Sequence, residues 1–138
     1  MEIRRLEPRD AGLAQALVRA FKRSAPGAEH LRAWLADARC VLLAALERGA
    51  PVGWVYGYEL PRIDGTQPMY LLYEIDVAPA HRRRGIGAAL LAHIVEQARA
   101  LGATRVTLLT DGDNARAQAL YRRLGFAASS MLAMRRRV

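Results

Sequence analysis

Apolar residues recur every three to four positions in four stretches of the chain, and this spacing predicts four α-helices. The predicted helices cover residues 11–23, 28–38, 85–101 and 114–124. Asp10 and Asn114 stand where the first and last of these helices need an acceptor for free backbone N–H groups. Gly102 and Gly125 stand where two helices end, and residues 24–27 form a break between the first two.

Runs of apolar, β-branched and aromatic residues predict six strands. They cover residues 2–6, 40–47, 51–60, 70–77, 104–110 and, from a weaker pattern, 127–136. In the third strand Trp54, Tyr56 and Tyr58 share one face, which either packs beneath a helix or lines a pocket. Trp34, on the second helix, likewise belongs either to the core or to a cleft. The order β-α-α-β-β-β-α-β-α-β predicts one α/β domain over residues 1–138, built on a mixed sheet.

The stretch from Ile75 to Leu91, which begins in the strand at 70–77, organises the rest of the chain. Pro79 ends its strand because proline has no N–H for a ladder. Three arginines and two glycines follow, and a helix then begins without a side-chain cap. The free N–H groups at that helix end favour an anion, and glycines let it approach closely. The pattern predicts a pyrophosphate site; the alternative is a solvated arginine loop with glycines in a tight turn.

Two motifs in the second half of the chain resemble those of a known superfamily. Val77-x-Pro79-x-x-Arg82-x-x-Gly85-x-Gly87 resembles the acetyl-coenzyme A motif of the GNAT superfamily of N-acetyltransferases. Asn114-x-x-Ala117-x-x-Leu120-Tyr121-x-x-x-Gly125-Phe126 resembles the second motif of that superfamily, in the usual order and separation. Within the superfamily, the segments 73–77 and 81–83, with Leu60-Pro61 before them, are most similar to type I aminoglycoside 3-N-acetyltransferases.

The resemblance implies a fold, a cofactor and a set of residues that bind it. The fold is a mixed, mostly antiparallel central sheet flanked by helices and splayed at the central strand, where strands four and five part to admit the cofactor. The cofactor is acetyl-coenzyme A, released as coenzyme A. The implied cofactor-binding residues are Ile75, Val77, Arg82, Arg83, Arg84, Gly85, Ile86, Gly87, Ala88, Asn114, Ala117 and Tyr121.

Acetyl transfer to an amine needs a neutral amine, a polarised thioester carbonyl and a protonated leaving thiolate. Glu74 is expected to be the base or amine anchor, acting directly or through water, with Asp76 as electrostatic support. Strand alternation puts both carboxylates on one face, opposite Tyr73, Ile75 and Val77, unless a bulge intervenes. Two carboxylates on an apolar strand are costly if they are only structural, which favours a functional role. The alternative is a surface-facing edge or an ion pair with an arginine.

Tyr121 is the general acid by resemblance. A phenol with a pKa near 10 is protonated at pH 7 and can donate a proton to a thiolate. The alternative is a tyrosine that only packs beside Leu120 and Leu124. Asn114 contacts the pantetheine arm, caps its helix, or does both.

The acceptor is expected to be a polycationic small molecule. Four carboxylates near strand ends are the predicted substrate-binding residues: Glu74, Asp76, Asp111 and Asp113. An aminoglycoside acetylated at its 3-amino group, with antibiotic resistance as the result, is the first choice. The alternatives are a protein N-terminus or another small amine and, in a different class, a basic binding module without catalysis. A binding module would have no need of Glu74 and Tyr121.

Composition excludes several classes. A hydrophobic content of 52% rules out a disordered chain, and no apolar run is long enough to span a bilayer. The net charge of +8 raises nucleic acid as a partner, but the arginine clusters at 82–84 and 135–137 lack interleaved aromatic residues, so none is expected. Cys40 is the sole cysteine and is expected in a buried strand, which with the charged N-terminus fits a cytoplasmic protein.

The sequence also bears on metals and assembly. The three histidines, His30, His81 and His93, have no metal-ligand spacing, so no metal is expected. The oligomeric state stays open, with a homodimer as one option.

Overall fold

A computed structural model describes residues 1–24 and 26–138, and within them five strands form one sheet in the order β1-β2-β3-β4-β5. The strands are β1 (Glu2–Arg5), β2 (Cys40–Glu47), β3 (Ala50–Leu60), β4 (Met69–Val77) and β5 (Val106–Leu108). The helices are α1 (Ala11–Lys22), α2 (Ala28–Ala36), α3 (Ile86–Ala100) and α4 (Ala115–Arg123). β1 to β4 are antiparallel and β5 is parallel to β4, so the predicted mixed, mostly antiparallel sheet is confirmed.

The sheet is covered on both faces because its central strands are apolar on both. In β2, Val41 and Leu43 pack beneath α3, while Leu42 and Ala44 pack beneath α1 and α2. A strand buried on two sides needs a continuous apolar run, which is what residues 41–46 supply. Arg48 (φ 52°) and Gly49 (φ 79°) form the hairpin turn from β2 to β3.

The sheet opens between β4 and β5. In the described part of the chain, β5 pairs with β4 only along the segment from Tyr70 to Leu72, whereas β4 continues to Val77. The predicted splay at the central strand is therefore confirmed. It leaves the second half of β4 without a strand partner on the side where β5 would otherwise continue.

A β-bulge in β4 at Tyr73 determines which side chains face this opening. Tyr56 of β3 pairs with Glu74, and the next residue, Gly57, pairs with Leu72. Leu72 and Ile75 consequently both face α3, although simple alternation would put them on opposite faces. Glu74 and Asp76 share a face as predicted, but the prediction that Tyr73 lies opposite Glu74 was wrong, because the Tyr73 ring stacks on Tyr56 beside Glu74.

Two further predictions of local structure were wrong. Residues 127–136 do not form a strand: they are exposed, and Met131, Leu132 and Met134 are 84–89% accessible. The segment starts with four small residues and runs into three consecutive arginines at 135–137, so both of its ends are weak strand formers. Asp10 precedes α1 without capping it, since its carboxylate accepts from the Glu7 N–H instead (2.8 Å).

Other boundaries differ by a few residues. β5 is shorter than the predicted 104–110, and α2 ends at Ala36 rather than residue 38. The predicted break at 24–27 includes Ala25, which lies outside the described residues. Asn114 caps α4 as predicted, accepting from the Ala117 N–H at 3.2 Å. None of the helices in residues 1–24 and 26–138 has the length and apolar character needed to cross a membrane.

The bulge should make Gly57 intolerant of any side chain. A Cβ there would overlap the Leu71 carbonyl oxygen and lie 2.8 Å from Tyr70 Cε1. We expect Gly57→Ala to lower the free energy of unfolding by about 1–3 kcal/mol, measured by urea denaturation. Gly12→Ala is the control: it sits in α1 with no described atom within 4 Å of a Cβ, and alanine there should stabilise by about 0.5–1 kcal/mol. Equal stability of the two variants would contradict the packing at the bulge.

Candidate active site

A cavity of about 510 Å³ lies between the end of β4, the start of α3 and one face of α4. We name it the donor cavity. It is lined by Ile75, Asp76, Val77, His81, Arg82, Arg83, Gly85, Ile86, Gly87, Ala88, Asn114, Arg116, Ala117, Leu120, Tyr121 and Arg123. Eleven of the twelve predicted cofactor-binding residues are in this set, Arg84 being the exception.

The start of α3 is the positive end of the donor cavity. Gly85 is the N-cap residue, with φ 79° in the left-handed region, and no side chain among the described residues caps the helix. Its conformation favours glycine, and a Cβ built on it meets no described atom within 4 Å. The first N–H groups of α3 therefore face open space with the positive end of the helix dipole behind them. This arrangement binds an anion such as a pyrophosphate.

The loop before α3 is tied to its surroundings by ion pairs. Arg82 donates to the Val77 carbonyl oxygen (3.0 Å) and lies 3.4 Å from the Asp76 carboxylate. Arg84 turns away from the cavity toward Glu47, at 3.6 Å. The same glutamate lies 2.9 Å from His81 Nε2. Two of the five residues 81–85 thus anchor the loop to the end of β2, while Arg82 and Arg83 line the cavity.

The α4 face adds residues that the sequence interpretation missed. Arg116 and Arg123 line the donor cavity, and Leu120 lies between them. The signal was their helical spacing, i, i+4 and i+7, on the face that carries Ala117 and Tyr121. Gly87 of α3 lies against this face, and a Cβ there would be in ordinary contact with Leu120 Cδ2 at 3.4 Å. Both arginines add positive charge to a cavity already lined by two others.

A second cavity of about 260 Å³ lies where β4 and β5 separate. We name it the acceptor cavity. It is lined by Phe21, Trp54, Leu72, Tyr73, Glu74, Ile75, Asp76, Leu108, Leu109 and Tyr121. Ile75, Asp76 and Tyr121 line both cavities. The two cavities therefore meet at one point of β4, opposite the tyrosine of α4.

Glu74 is the carboxylate of the acceptor cavity that pairs with α1. Its Oε1 lies 2.7 Å from Lys22 Nζ at the end of α1. This hydrogen bond, with the negative charge of Glu74, raises the pKa of Lys22. Burial raises the pKa of Tyr56, and the charge and hydrogen bond of Glu74 raise it further. The ion-pair alternative thus holds in part: Glu74 pairs with a lysine, and Asp76 pairs with Arg82.

Tyr121 is half-buried between the cavities. Its ring packs against Phe126, with centroids 6.0 Å apart, and contacts the core beneath α3. Burial raises the pKa of the phenol above its ordinary value, so the hydroxyl stays protonated at neutral pH. This position is compatible with a tyrosine that only packs and with a tyrosine that acts as the general acid. The two roles differ in whether the hydroxyl is needed.

Aromatic rings form the wall of the acceptor cavity opposite β5. Phe21 stacks on Trp54 at 5.4 Å, and Trp54 is buried beneath α1. The face of β3 that carries Trp54, Tyr56 and Tyr58 thus both lines a pocket and packs beneath helices. Trp54 lines the acceptor cavity, while Tyr56 and Tyr58 belong to a cluster of aromatic rings. Trp34 belongs to that cluster and donates to the Tyr58 hydroxyl (3.4 Å), so it packs in the core.

Asp111 and Asp113 lie apart from these carboxylates. Both are exposed in the loop between β5 and α4, and neither lines the donor or the acceptor cavity. The Asp111 carbonyl oxygen accepts from the Gln118 side chain at 3.1 Å. Their role in acceptor binding stays a prediction.

Comparison with known proteins identifies relatives along nearly the whole chain. Residues 11–126 match the acetyltransferase (GNAT) family. The uncharacterized N-acetyltransferase YhfO of Bacillus subtilis (strain 168) is 32% identical over 133 residues, covering 91% of this chain and 89% of that protein. The mycothiol acetyltransferase of Beutenbergia cavernae is 44% identical over 55 residues, covering 40% of this chain and only 18% of that enzyme.

A crystal structure gives the same picture. An aminoglycoside acetyltransferase from an uncultured soil metagenomic sample superposes with a TM-score of 0.90, over 99% of this chain and 97% of that one, at 30% identity. The sheet, its opening and the two sequence motifs thus occur together with a family match that spans most of the chain. The chain belongs to the acetyltransferase (GNAT) family, whose acetyl donor is acetyl-coenzyme A.

Proposed function

We propose that this chain transfers the acetyl group of acetyl-coenzyme A to a primary amine of a polycationic, ring-bearing small molecule, with an aminoglycoside as first choice. One observation carries the proposal: a basic cavity and an aromatic, acidic cavity meet at Ile75, Asp76 and Tyr121. A donor and an acceptor that enter from the two sides would bring their reacting atoms together there.

The donor cavity fits acetyl-coenzyme A. The N–H groups at the start of α3 and the side chains of Arg82 and Arg83 would hold the pyrophosphate, with Arg116 and Arg123 as further positive charge. The separated part of β4 offers its backbone to the pantetheine arm. Bound in this way, the cofactor supplies a thioester whose acetyl carbon is open to attack by an amine.

The acceptor cavity supplies the groups that an amine needs. Glu74 and Asp76 would hold an ammonium group by charge-assisted hydrogen bonds, which offset its loss of water. Glu74 would then accept the proton, directly or through water, so that the neutral amine can attack. Tyr121, protonated at neutral pH, would donate a proton to the leaving thiolate. A binding module has no use for this pairing of a carboxylate with a buried phenol.

The choice of an aminoglycoside rests on the cavity walls and on the soil relative. Aromatic rings such as Phe21 and Trp54 suit the faces of sugar rings, and the carboxylates suit amino groups. The 3-amino position rests on the sequence resemblance of residues 73–83, and resistance to the antibiotic would follow from its acetylation. A protein N-terminus is the second candidate acceptor, because it too presents one ammonium group beside an organic chain.

The first prediction concerns the start of α3. Gly85→Asp should abolish measurable acetyl-coenzyme A binding in calorimetry, because it places a negative charge at the anion site. Gly102→Asp is the control. Gly102 also has a left-handed backbone (φ 90°) with no described atom within 4 Å of a Cβ, so it bears the same strain away from the cavity. Unchanged affinity in folded Gly85→Asp would sink the assignment of the donor cavity.

The second prediction concerns Tyr121. Tyr121→Phe keeps the ring that packs on Phe126 and loses only the hydroxyl. We expect it to fold and bind acetyl-coenzyme A normally while turnover falls by about 10²- to 10⁴-fold, the usual range for a general acid. Tyr58→Phe, which removes a hydroxyl outside both cavities, should keep its turnover. Wild-type turnover in Tyr121→Phe would return this residue to a packing role.

The third prediction concerns the acceptor. In a thiol-release assay, a 3-amino aminoglycoside should be acetylated with a Michaelis constant between about 1 μM and 1 mM. Its 3-deamino analogue should not be acetylated, and added salt should raise the Michaelis constant because it screens the carboxylates. Equal use of both compounds would remove the 3-amino assignment. Use of neither, with turnover of a peptide N-terminus, would replace the aminoglycoside while leaving the acetyltransferase in place.

A further inference from the structure

The chain places one of its own amines against a carboxylate that lines the acceptor cavity. Lys22 is the sole lysine in the sequence, and its Nζ lies 2.7 Å from Glu74 Oε1. Its neighbour Phe21 lines the acceptor cavity and stacks on Trp54, which fixes this end of α1 against the cavity wall. The ammonium of Lys22 therefore takes the place at Glu74 that the proposed function gives to the ammonium of an acceptor.

Neither partner of this ion pair is locked in place. The side chains of Lys22 and Glu74 are 45% and 28% exposed, so the pair is open to solvent on one side. A lysine carries its nitrogen on a flexible four-carbon stem, so a small rotation of the side chain can move the ammonium away from the carboxylate without breaking any packing. The other basic side chains of the chain are arginines, which stay protonated and are not nucleophiles, and three histidines, which carry no primary amine.

We propose that Lys22 is a self-acetylation site: when no acceptor fills the acceptor cavity, the chain transfers an acetyl group from acetyl-coenzyme A to its own Lys22 Nζ. This inference rests on the proposed function, because it uses the same donor, Glu74 and Tyr121. The inference goes beyond the proposed function because it assigns a covalent modification to a residue that takes no part in the acetylation of other amines.

The reaction balances with the groups already described. Glu74 accepts one proton from the Lys22 ammonium, and the neutral nitrogen forms a bond to the acetyl carbon of the thioester. The C–S bond breaks, and Tyr121 gives its proton to the departing thiolate. The nitrogen loses its second proton, which restores the tyrosine through solvent. The products are N-acetyl-Lys22, coenzyme A as the thiol, and one proton that passes from Glu74 to water.

Acetylation would change the acceptor cavity as well as the lysine. The amide of N-acetyl-Lys22 carries no charge, so the ion pair with Glu74 is lost and the carboxylate becomes free for another cation. A cationic acceptor competes with Lys22 for Glu74. It should therefore slow the modification in proportion to its own occupancy of the acceptor cavity.

The sequence makes the test simple to read. Trypsin cleaves after Arg19, Lys22 and Arg23, and an acetylated lysine is not cleaved. Self-acetylation therefore yields the peptide 20–23 with one added acetyl group, in place of the peptide 20–22. The α-amino group of Met1, the other primary amine of the chain, gives a different peptide. Incubation with acetyl-coenzyme A alone should produce this peptide together with a burst of one thiol per chain.

Two variants and a dilution series provide the controls. Glu74→Gln and heat-unfolded protein should acetylate Lys22 at least about 10²-fold more slowly, since the general base is gone. Lys22→Arg keeps a cation opposite Glu74 but has no amine to modify, so it should show no burst. The first-order rate constant should stay the same when the protein is diluted, because the transfer takes place within one chain.

A further readout needs no cofactor. In the free protein, an amine-reactive label should modify Lys22 more slowly in the wild type than in Glu74→Gln, because the ion pair keeps the ammonium protonated. Equal labelling of the two proteins would overturn the ion pair on which the inference stands.

The outcomes separate this inference from the proposed function. Turnover of an amine panel without any acetyl-Lys22 would overturn self-acetylation and leave the enzyme standing. Equal acetylation of Lys22 in the wild type, Glu74→Gln and unfolded protein would show a purely chemical reaction and would also overturn it. A rate constant that rises with protein concentration would overturn transfer within one chain. Failure to bind acetyl-coenzyme A at all would remove the proposed function itself.

Discussion

The separation of β4 from β5 is the constraint on which the rest of the site depends. A parallel pair that continued to Val77 would use the backbone groups of β4 for strand pairing and close both cavities. The pairing stops at Leu72, and the bulge at Tyr73 turns Ile75 toward α3 and Glu74 toward α1 at the same point. One extra residue in one strand thus gives β4 a donor side and an acceptor side.

The bulge is possible because of what lies around it. Gly57 takes the position opposite, where any side chain would collide with the Tyr70 ring and the Leu71 carbonyl. Tyr70 is fully buried, and its hydroxyl has no hydrogen-bond partner among the described residues. The packing at the bulge therefore leaves a buried polar group unsatisfied, which costs free energy. A local irregularity of this kind, supported by a buried aromatic residue and a glycine, is typical of a functional site and not of a strand that serves only the sheet.

Much of the fold and of the donor cavity could be predicted from the sequence, because both depend on local patterns. Helical spacing, the glycines at 85 and 87, and the two motifs concern residues that are near one another in the chain. The acceptor cavity depends on contacts between distant residues, and these were not predictable. Nothing local in the sequence connects Lys22 with Glu74. Likewise, nothing local distinguishes Arg84, which pairs with Glu47, from Arg82 and Arg83, which line the donor cavity. The C-terminal strand failed for the opposite reason: an apolar pattern was present at 131–134, but β5 is too short to give it a pairing edge.

The distribution of charge is compatible with the cationic acceptor that we propose for a chain of net charge +8. Arginines from the loop before α3 and from α4 gather around the donor cavity, where they favour a polyanion. Among the described residues that line the acceptor cavity there is no arginine, and the two charged side chains are carboxylates. Asp76 lines both cavities and is paired with Arg82, so its negative charge is offset by a positive charge where the two cavities meet. Glu74 is the other carboxylate of the acceptor cavity, and Lys22 is the cation paired with it in this structure. The net charge of the whole chain therefore says little about its acceptor; the sign of charge on each side of β4 decides which molecule enters from which side.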